Sequence, residues 1–229
     1  MNVDVLSNRL GVDIEPQLLE LALTHRSYSY EHGNIPNNER LEFLGDSVLG
    51  FVVTAHIHDL LTSLPEGELT KVKNAVVSAT ALAKVAGEIG LGEFLRLGKG
   101  EEQTGGREKA NLLADAFEAI LGAAFVSKGL DAAESIVRRF IFPLLEDPDS
   151  LRANSDPKTT LQERLQAESK PSPVYVTRHE GPDHDRTFFS VVSVDEKQLG
   201  EGQGRSKKLA ETSAAIDALA RLPKSKKGK

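Results

Sequence analysis

The stretch 38–47, NERLEFLGDS, carries three carboxylates, Glu39, Glu42 and Asp46, among Leu41, Phe43 and Leu44. On a helix these spacings, i,i+3 and then i,i+4, set all three on one face. The apolar run VLGFVV follows directly. A solvated face would mix both signs of charge and would not run into so apolar a flank. The stretch reads as one half of an acidic metal site.

The other half is sought in LLADAFEAILGAAF, where Asp115 and Glu118 again face one way. Leu112, Leu113, Phe117, Ile120, Leu121 and Phe125 surround the pair, so part of this helix is buried. A buried carboxylate without a partner is expensive: it neutralises, pairs with a cation or binds a metal. No Lys or Arg stands three or four positions from Asp115. Two buried helices with acidic pairs can pack so that the carboxylates converge, and all-oxygen ligation selects Mg²⁺ or Mn²⁺ over zinc. Such clusters serve phosphoryl chemistry, because the cation offsets charge on the phosphate and lowers the pKa of a bound water.

Other nucleophiles lack support. The chain has no Cys, no G-x-S-x-G elbow and no H-E-x-x-H pattern among its six His. His25 and His56 are expected to fill or cap helix packing.

The elements that must hold these residues come next. Residues 1–26 read as a short helix and a second one opened by Pro16, with Leu18, Leu19, Leu21, Ala22 and Leu23 as its apolar face. Residues 27–38, with Gly33 and Pro36, read as a loop. A helix is expected from 38 to about 62, at the centre of the domain because its middle is apolar nearly all round. Pro65-Glu66-Gly67 breaks the pattern, and a second long helix runs through Ala86 to Gly90 and Gly92. Residues 98–110 form a charged, Gly-rich loop. The Asp115 helix ends at Gly129, and a fourth long helix begins at Asp131. No strand-like alternation appears before residue 170. Residues 1–146 are therefore expected to form an all-α domain.

Residues 147–156 are polar and read as a linker. A short amphipathic helix, three β-rich segments (173–180, 186–194 and 197–205) and a closing Ala-rich helix follow. This α-β-β-β-α order makes an α+β domain over 157–224, with a basic tail at 225–229. The net charge of −6 divides into −9 for residues 1–155 and +3 for 156–229. That asymmetry suits a polyanion-binding module beside an acidic one, although a basic tail can also serve solubility alone. The lack of Cys fits a reducing compartment, and no secretory signal or apolar run of membrane-spanning length is apparent. A cytoplasmic protein without membrane attachment is expected.

NERLEFLGDS and LADAFEAILGA resemble the two acidic motifs of the ribonuclease III family. Their separation and the α-β-β-β-α tail match as well, so the resemblance covers essentially the whole chain. It implies an all-α ribonuclease III catalytic domain followed by a double-stranded-RNA-binding domain. Glu42, Asp46, Asp115 and Glu118 match the metal carboxylates, with Asp46 and Glu118 at the catalytic positions. Glu39 and Glu66 match supporting acidic positions. At a helix start Glu66 also has a plain explanation, because a carboxylate favours the helix dipole. The resemblance further implies a Mg²⁺-dependent homodimer that cuts double-stranded RNA, such as ribosomal-RNA precursors, to 5′-phosphate and 3′-hydroxyl ends with short 3′ overhangs. Phe43 and Leu44 are candidates for the subunit interface or for ordinary core.

In the tail, Ser206, Lys207 and Lys208 open the last helix and could form a phosphate site. The loop at Gly181, Pro182, Asp183 and His184 could enter a minor groove, and Gln162 and Glu163 could reach another. These match the three contact regions of double-stranded-RNA-binding domains. A solvated surface is the alternative for the lysine pair. Two rival functions stay open at this point: a non-catalytic duplex-RNA-binding regulator, and a small-molecule phosphohydrolase.

Overall fold

The computed structural model describes residues 3–146, 157–182 and 186–222. The expected linker 147–156, the turn residues Asp183, His184 and Asp185, and the basic tail 225–229 lie outside the described residues. The chain divides into two compact units, Met1–Pro148 and Asp149–Lys229.

The first unit is helical. Its α-helices are α1 (Val3–Leu10), α2 (Pro16–Ala22), α3 (Arg26–Glu31), α4 (Glu39–Leu60), α5 (Glu66–Val76), α6 (Ala79–Ile89), α7 (Lys99–Gln103), α8 (Ala110–Lys128) and α9 (Leu130–Phe140). Short 3₁₀ turns stand at Leu91–Phe94, Gly106–Glu108 and Phe142–Glu146. Three local expectations change. The loop expected at 27–38 holds most of α3, capped by His25 Nδ1, which accepts from the Ser27 N–H at 3.2 Å. The long helix expected through Ala86 is two, because the Ser78 hydroxyl donates to Ala75 O at 2.8 Å and accepts from the Ala81 N–H at 3.3 Å, so that it starts α6 afresh. The charged loop 98–110 is wound into turns that Arg107 ties down by donating to Gly92 O at 2.7 Å and Leu95 O at 3.0 Å.

The centre of the unit is α8, not α4. Leu112 to Ala124 of α8 are almost all buried, with only Asp115 and Glu118 partly open. Among the described residues α8 is the one helix long and apolar enough to cross a membrane, and most of it is buried within the unit. α4 buries Leu41, Val48, Leu49, Val52, Val53 and Ile57 on one side and leaves Phe43 and Phe51 exposed on another. An all-round apolar helix can lie inside a domain or present a second apolar face outward, and α4 does the latter.

α4 and α8 cross in direct backbone contact. A Cβ built on Gly45 would collide with the Glu118 carbonyl and stand 2.9 Å from Gly122 N. A Cβ on Gly122 would collide with the Leu41 carbonyl and stand 3.2 Å from Leu41 Cα. Each glycine removes the side chain that would hold the helices apart.

The second unit opens with α10 (Pro157–Ala167), continues through β1 (Val174–Glu180), β2 (Thr187–Val194) and β3 (Lys197–Gly204), and closes with α11 (Lys207–Arg221). The strands form an antiparallel sheet in the order β1-β2-β3, with Val176 opposite Val191 and Phe189 opposite Gln203. Its core joins Leu161 and Leu165 of α10, Val192 and Val194 of β2, and Ala214, Ala215 and Ala218 of α11. Gly200, Gly202 and Gly204 alternate along β3 and so share one sheet face. A Cβ at Gly200 would stand 2.6 Å from Ala214 O, and one at Gly204 would stand 2.9 Å from Ala210 N. The glycine row and the alanine row at 210, 214 and 218 let α11 lie almost on the strand.

Candidate metal centre

The α4–α8 crossing fixes the acidic cluster. Gly45 lies between Glu42 and Asp46 in sequence, and its contact is with the backbone of Glu118 itself. One carboxylate oxygen from each of Glu42, Asp115 and Glu118 lies within 4.8 Å of the others. Opposite ligands on a Mg²⁺ coordinated at about 2.0–2.1 Å stand about 4 Å apart, so one cation can bridge such a set. Asp46 is outside that tight trio and exposed, yet after burial its charge is the largest influence on Glu118. Four carboxylates from two helices therefore share one electrostatic site, three of them within ligand reach of each other.

Burial and mutual repulsion govern their protonation. Burial is the main cause of the rise of the Glu118 carboxyl to about 7, followed by the charges of Asp46, Asp115 and Glu42. Glu42 and Asp115 are also raised, first by burial, and Asp115 adds to the effect on Glu42. An anionic trio this crowded is poorly stable alone and is neutralised by protons or by a cation. The donor set thus fits a hard divalent ion.

Two residues at the site came from outside the sequence motifs. The Arg96 N–H donates to Leu23 O at 2.8 Å and the His25 N–H to Arg96 O at 3.1 Å, which ties the start of α3 to the segment before α7. This brings His25 and Arg26 into the field of Asp115 and Glu101. Burial holds the His25 imidazole below its usual pKa. A hydrogen bond from Lys109 keeps Glu101 ionised. No spacing rule flags THRS, because the contact is made by a loop rather than along a helix. His56, expected to fill packing, stacks on Phe142 with ring centroids 3.6 Å apart.

Glu39 and Glu66 take separate places. Glu39 stands 3.8 Å from Arg26 and accepts from Asn37 Nδ2 at 3.1 Å. Glu66 is exposed in the first turn of α5 and accepts from the Thr70 hydroxyl at 2.9 Å. Neither belongs to the carboxylate trio.

In the second unit Gln162 and Glu163 lie exposed on α10. The Ser206 hydroxyl accepts from the Leu209 N–H at 3.2 Å, so it caps α11 and satisfies one of its free donors. Lys207 and Lys208 are exposed, and Lys207 lies 3.9 Å from Glu211. His184 falls among the residues outside the described set.

Comparison with known proteins then fixes the family. A model described as "Ribonuclease-III-like" matches residues 15–145, and one described as "Double-stranded RNA binding motif" matches residues 157–222. The protein named Ribonuclease 3 of Leifsonia xyli subsp. xyli is 54% identical over 217 residues, which cover 95% of this chain and 92% of the relative. The chain belongs to the ribonuclease III family. The Ribonuclease 3 of Mycobacterium tuberculosis is 46% identical over 93% of this chain and 90% of its own. A solved ribonuclease III nuclease domain from Campylobacter jejuni matches with a TM-score of 0.59 at 38% identity, covering 62% of this chain and 97% of that one.

The ribonuclease III assignment carries the enzyme class: a double-stranded-RNA-specific endoribonuclease of a family that uses divalent metal. The same assignment speaks against both rivals, the small-molecule phosphohydrolase and the non-catalytic regulator.

Proposed function

We propose that Glu42, Asp46, Asp115 and Glu118 hold Mg²⁺, with Mn²⁺ as a substitute, and that Asp46 and Glu118 are the catalytic positions. When bound, the ion supplies an activated water and offsets charge on the scissile phosphate. The chain's own part is to hold the carboxylates together at the Gly45–Glu118 contact, where crowding favours either protons or the ion as the neutralising charge. The observation that carries this reading is the trio of oxygens within 4.8 Å beside Asp46.

The products are 5′-phosphate and 3′-hydroxyl ends with short 3′ overhangs, and the substrates include ribosomal-RNA precursors and other structured transcripts in the cytoplasm. Residues 1–146 and 157–224 act as the nuclease and RNA-binding domains, joined by the linker 147–156. Gln162, Glu163, His184, Ser206, Lys207 and Lys208 contact the duplex, and Glu39 and Glu66 play supporting parts. The working unit is a homodimer with one acidic site for each strand. Phe43 and Phe51, 79% and 61% exposed and eight residues apart on α4, support a partner on that face. The Campylobacter jejuni nuclease domain is described with a region involved in dimer formation, which supports the same reading.

Mapping of cleavage products tests the proposal. The full chain is given a defined RNA duplex with and without Mg²⁺, and Asp46→Asn and Glu118→Gln are run beside it. Loss of at least a hundredfold in rate with duplex binding kept is the expected result. Full cleavage by both variants, or by the wild type in chelator, would refute it.

A further inference from the structure

A polar groove of about 500 Å³ opens beside the acidic cluster, with Arg26, Tyr30, Asn34, Asn37, Glu39 and Glu101 in its walls. Among its lining residues Arg26 is the one arginine or lysine. Its guanidinium is 72% exposed, stands 3.8 Å from Glu39 and makes no hydrogen bond among the described residues. Glu39 is gripped on its other side, its Oε2 accepting from Asn37 Nδ2 at 3.1 Å and its N–H donating to Asn37 Oδ1 at 3.2 Å. Glu39 precedes Glu42 by one helical turn, so the groove and the carboxylate trio share the same end of α4.

An exposed pair at 3.8 Å adds little to stability. A guanidinium has five donors in a planar fork suited to phosphate oxygens. Here that fork stands 3.8 Å from a carboxylate, faces solvent, and lies beside the end of α4 that carries the carboxylate trio. We propose that Arg26 is a substrate-positioning residue whose guanidinium takes the RNA phosphate next to the one that is cut, with Glu39 and Asn37 setting its reach. The inference rests on the acidic cluster being the cleavage site. It gives Glu39 a task distinct from metal ligation: to hold the arginine.

The test reads salt dependence. Duplex-RNA binding by the full chain carrying Glu118→Gln is measured across a salt series, alone and combined with Arg26→Ala or Arg26→Lys. The same series is read from KM for the Arg26 variants in the otherwise wild-type chain. Each phosphate contact contributes about 0.9 to the slope of log affinity against log salt. Arg26→Ala is expected to reduce that slope by about one and to raise KM about fivefold to tenfold, whereas Arg26→Lys keeps the slope. A slope that Arg26→Ala leaves unchanged, or that Arg26→Lys lowers as far as alanine does, overturns the assignment. Cleavage that survives Glu118→Gln would instead sink the cluster as the cleavage site, and the KM series still decides Arg26.

Discussion

Gly45 lies against the backbone carbonyl of Glu118, so close that a Cβ would stand 2.6 Å from the carbonyl carbon. The cluster's most strongly shifted carboxylate thus belongs to the residue on which the two helices touch. Any widening of the crossing would move Glu42 and Asp46 away from Asp115 and Glu118 together.

Gly45→Ala is therefore expected to destabilise the protein by about 1–3 kcal/mol or more, because the obstructing atom is backbone and cannot rotate away. Gly50, on the same helix, has only the Lys73 ammonium end within reach, at 3.8 Å. Gly50→Ala should stabilise by about 0.5–1 kcal/mol through helix propensity. Denaturant titration separates the two, and equal midpoints would contradict the close crossing.

Protonation of the cluster makes metal-free stability and the added stabilisation by Mg²⁺ depend on pH with opposite signs. Glu118 rises from 4.5 to about 7, and Glu42 and Asp115 rise as well. Between the unfolded and folded values the native state holds more protons, so metal-free stability increases as pH falls from about 8 to about 6.5. Below 6.5 the lowered pKa of buried His25 works against this trend, because the unfolded imidazole takes up a proton first. The ion needs ionised carboxylates, so the rise in Tm on adding Mg²⁺ should shrink over the same interval. Glu118→Gln should raise the metal-free Tm at pH 8 and flatten its pH dependence. Thermal melts in chelator and in Mg²⁺ give all these quantities, and a metal-free Tm that falls steadily from pH 8 to 6.5 would rule out the crowded carboxylates.

At the start of α11, the double variant Lys207→Ala, Lys208→Ala should lower the salt slope of duplex binding by about two if each lysine meets a phosphate. Ser206→Ala should act differently. It removes the cap on Leu209 N–H and costs about 0.5–2 kcal/mol of stability. Filter binding over a salt series and a melt of the same samples distinguish the roles; an unchanged slope in the lysine variant would end its assignment to RNA.

The exposed aromatic face of α4 gives a further outcome. Phe43→Asp should convert the proposed dimer into monomer in sedimentation while leaving the helical content intact, because Phe43 is 79% exposed in the single chain. A dimer that survives this change, at micromolar concentration, would place the interface elsewhere.

Much of this was legible in the chain because its signals are local. Carboxylates at i,i+3 and i,i+4 spacing must share a helix face whatever surrounds them. The period-two strands and the Ala-rich closing helix likewise announced α10 to α11 in order. The expectations that failed are those in which a local pattern admits two packings. The apolar surround of α4 did not say whether its second face is turned inward or outward, and a periodic run through Val77 and Ser78 did not say that Ser78 would cap a new helix. The sequence does not say why glycine stands at 45, 122, 200, 202 and 204; only their close backbone neighbours in the fold show it.

By itself, then, the sequence pointed to the family through the likeness of its motifs, and to the two kinds of domain and the acidic helix faces, because periodicity and short spacings are properties of a single element. Only the tertiary structure decided which oxygens meet. It drew Glu42, Asp115 and Glu118 into a trio, set Asp46 at its border, placed Glu66 apart, and gave Glu39 the guanidinium of Arg26 as its partner. Those outcomes depend on how closely two backbones approach and on where a loop crosses a helix, and neither distance is written in the order of residues along the chain.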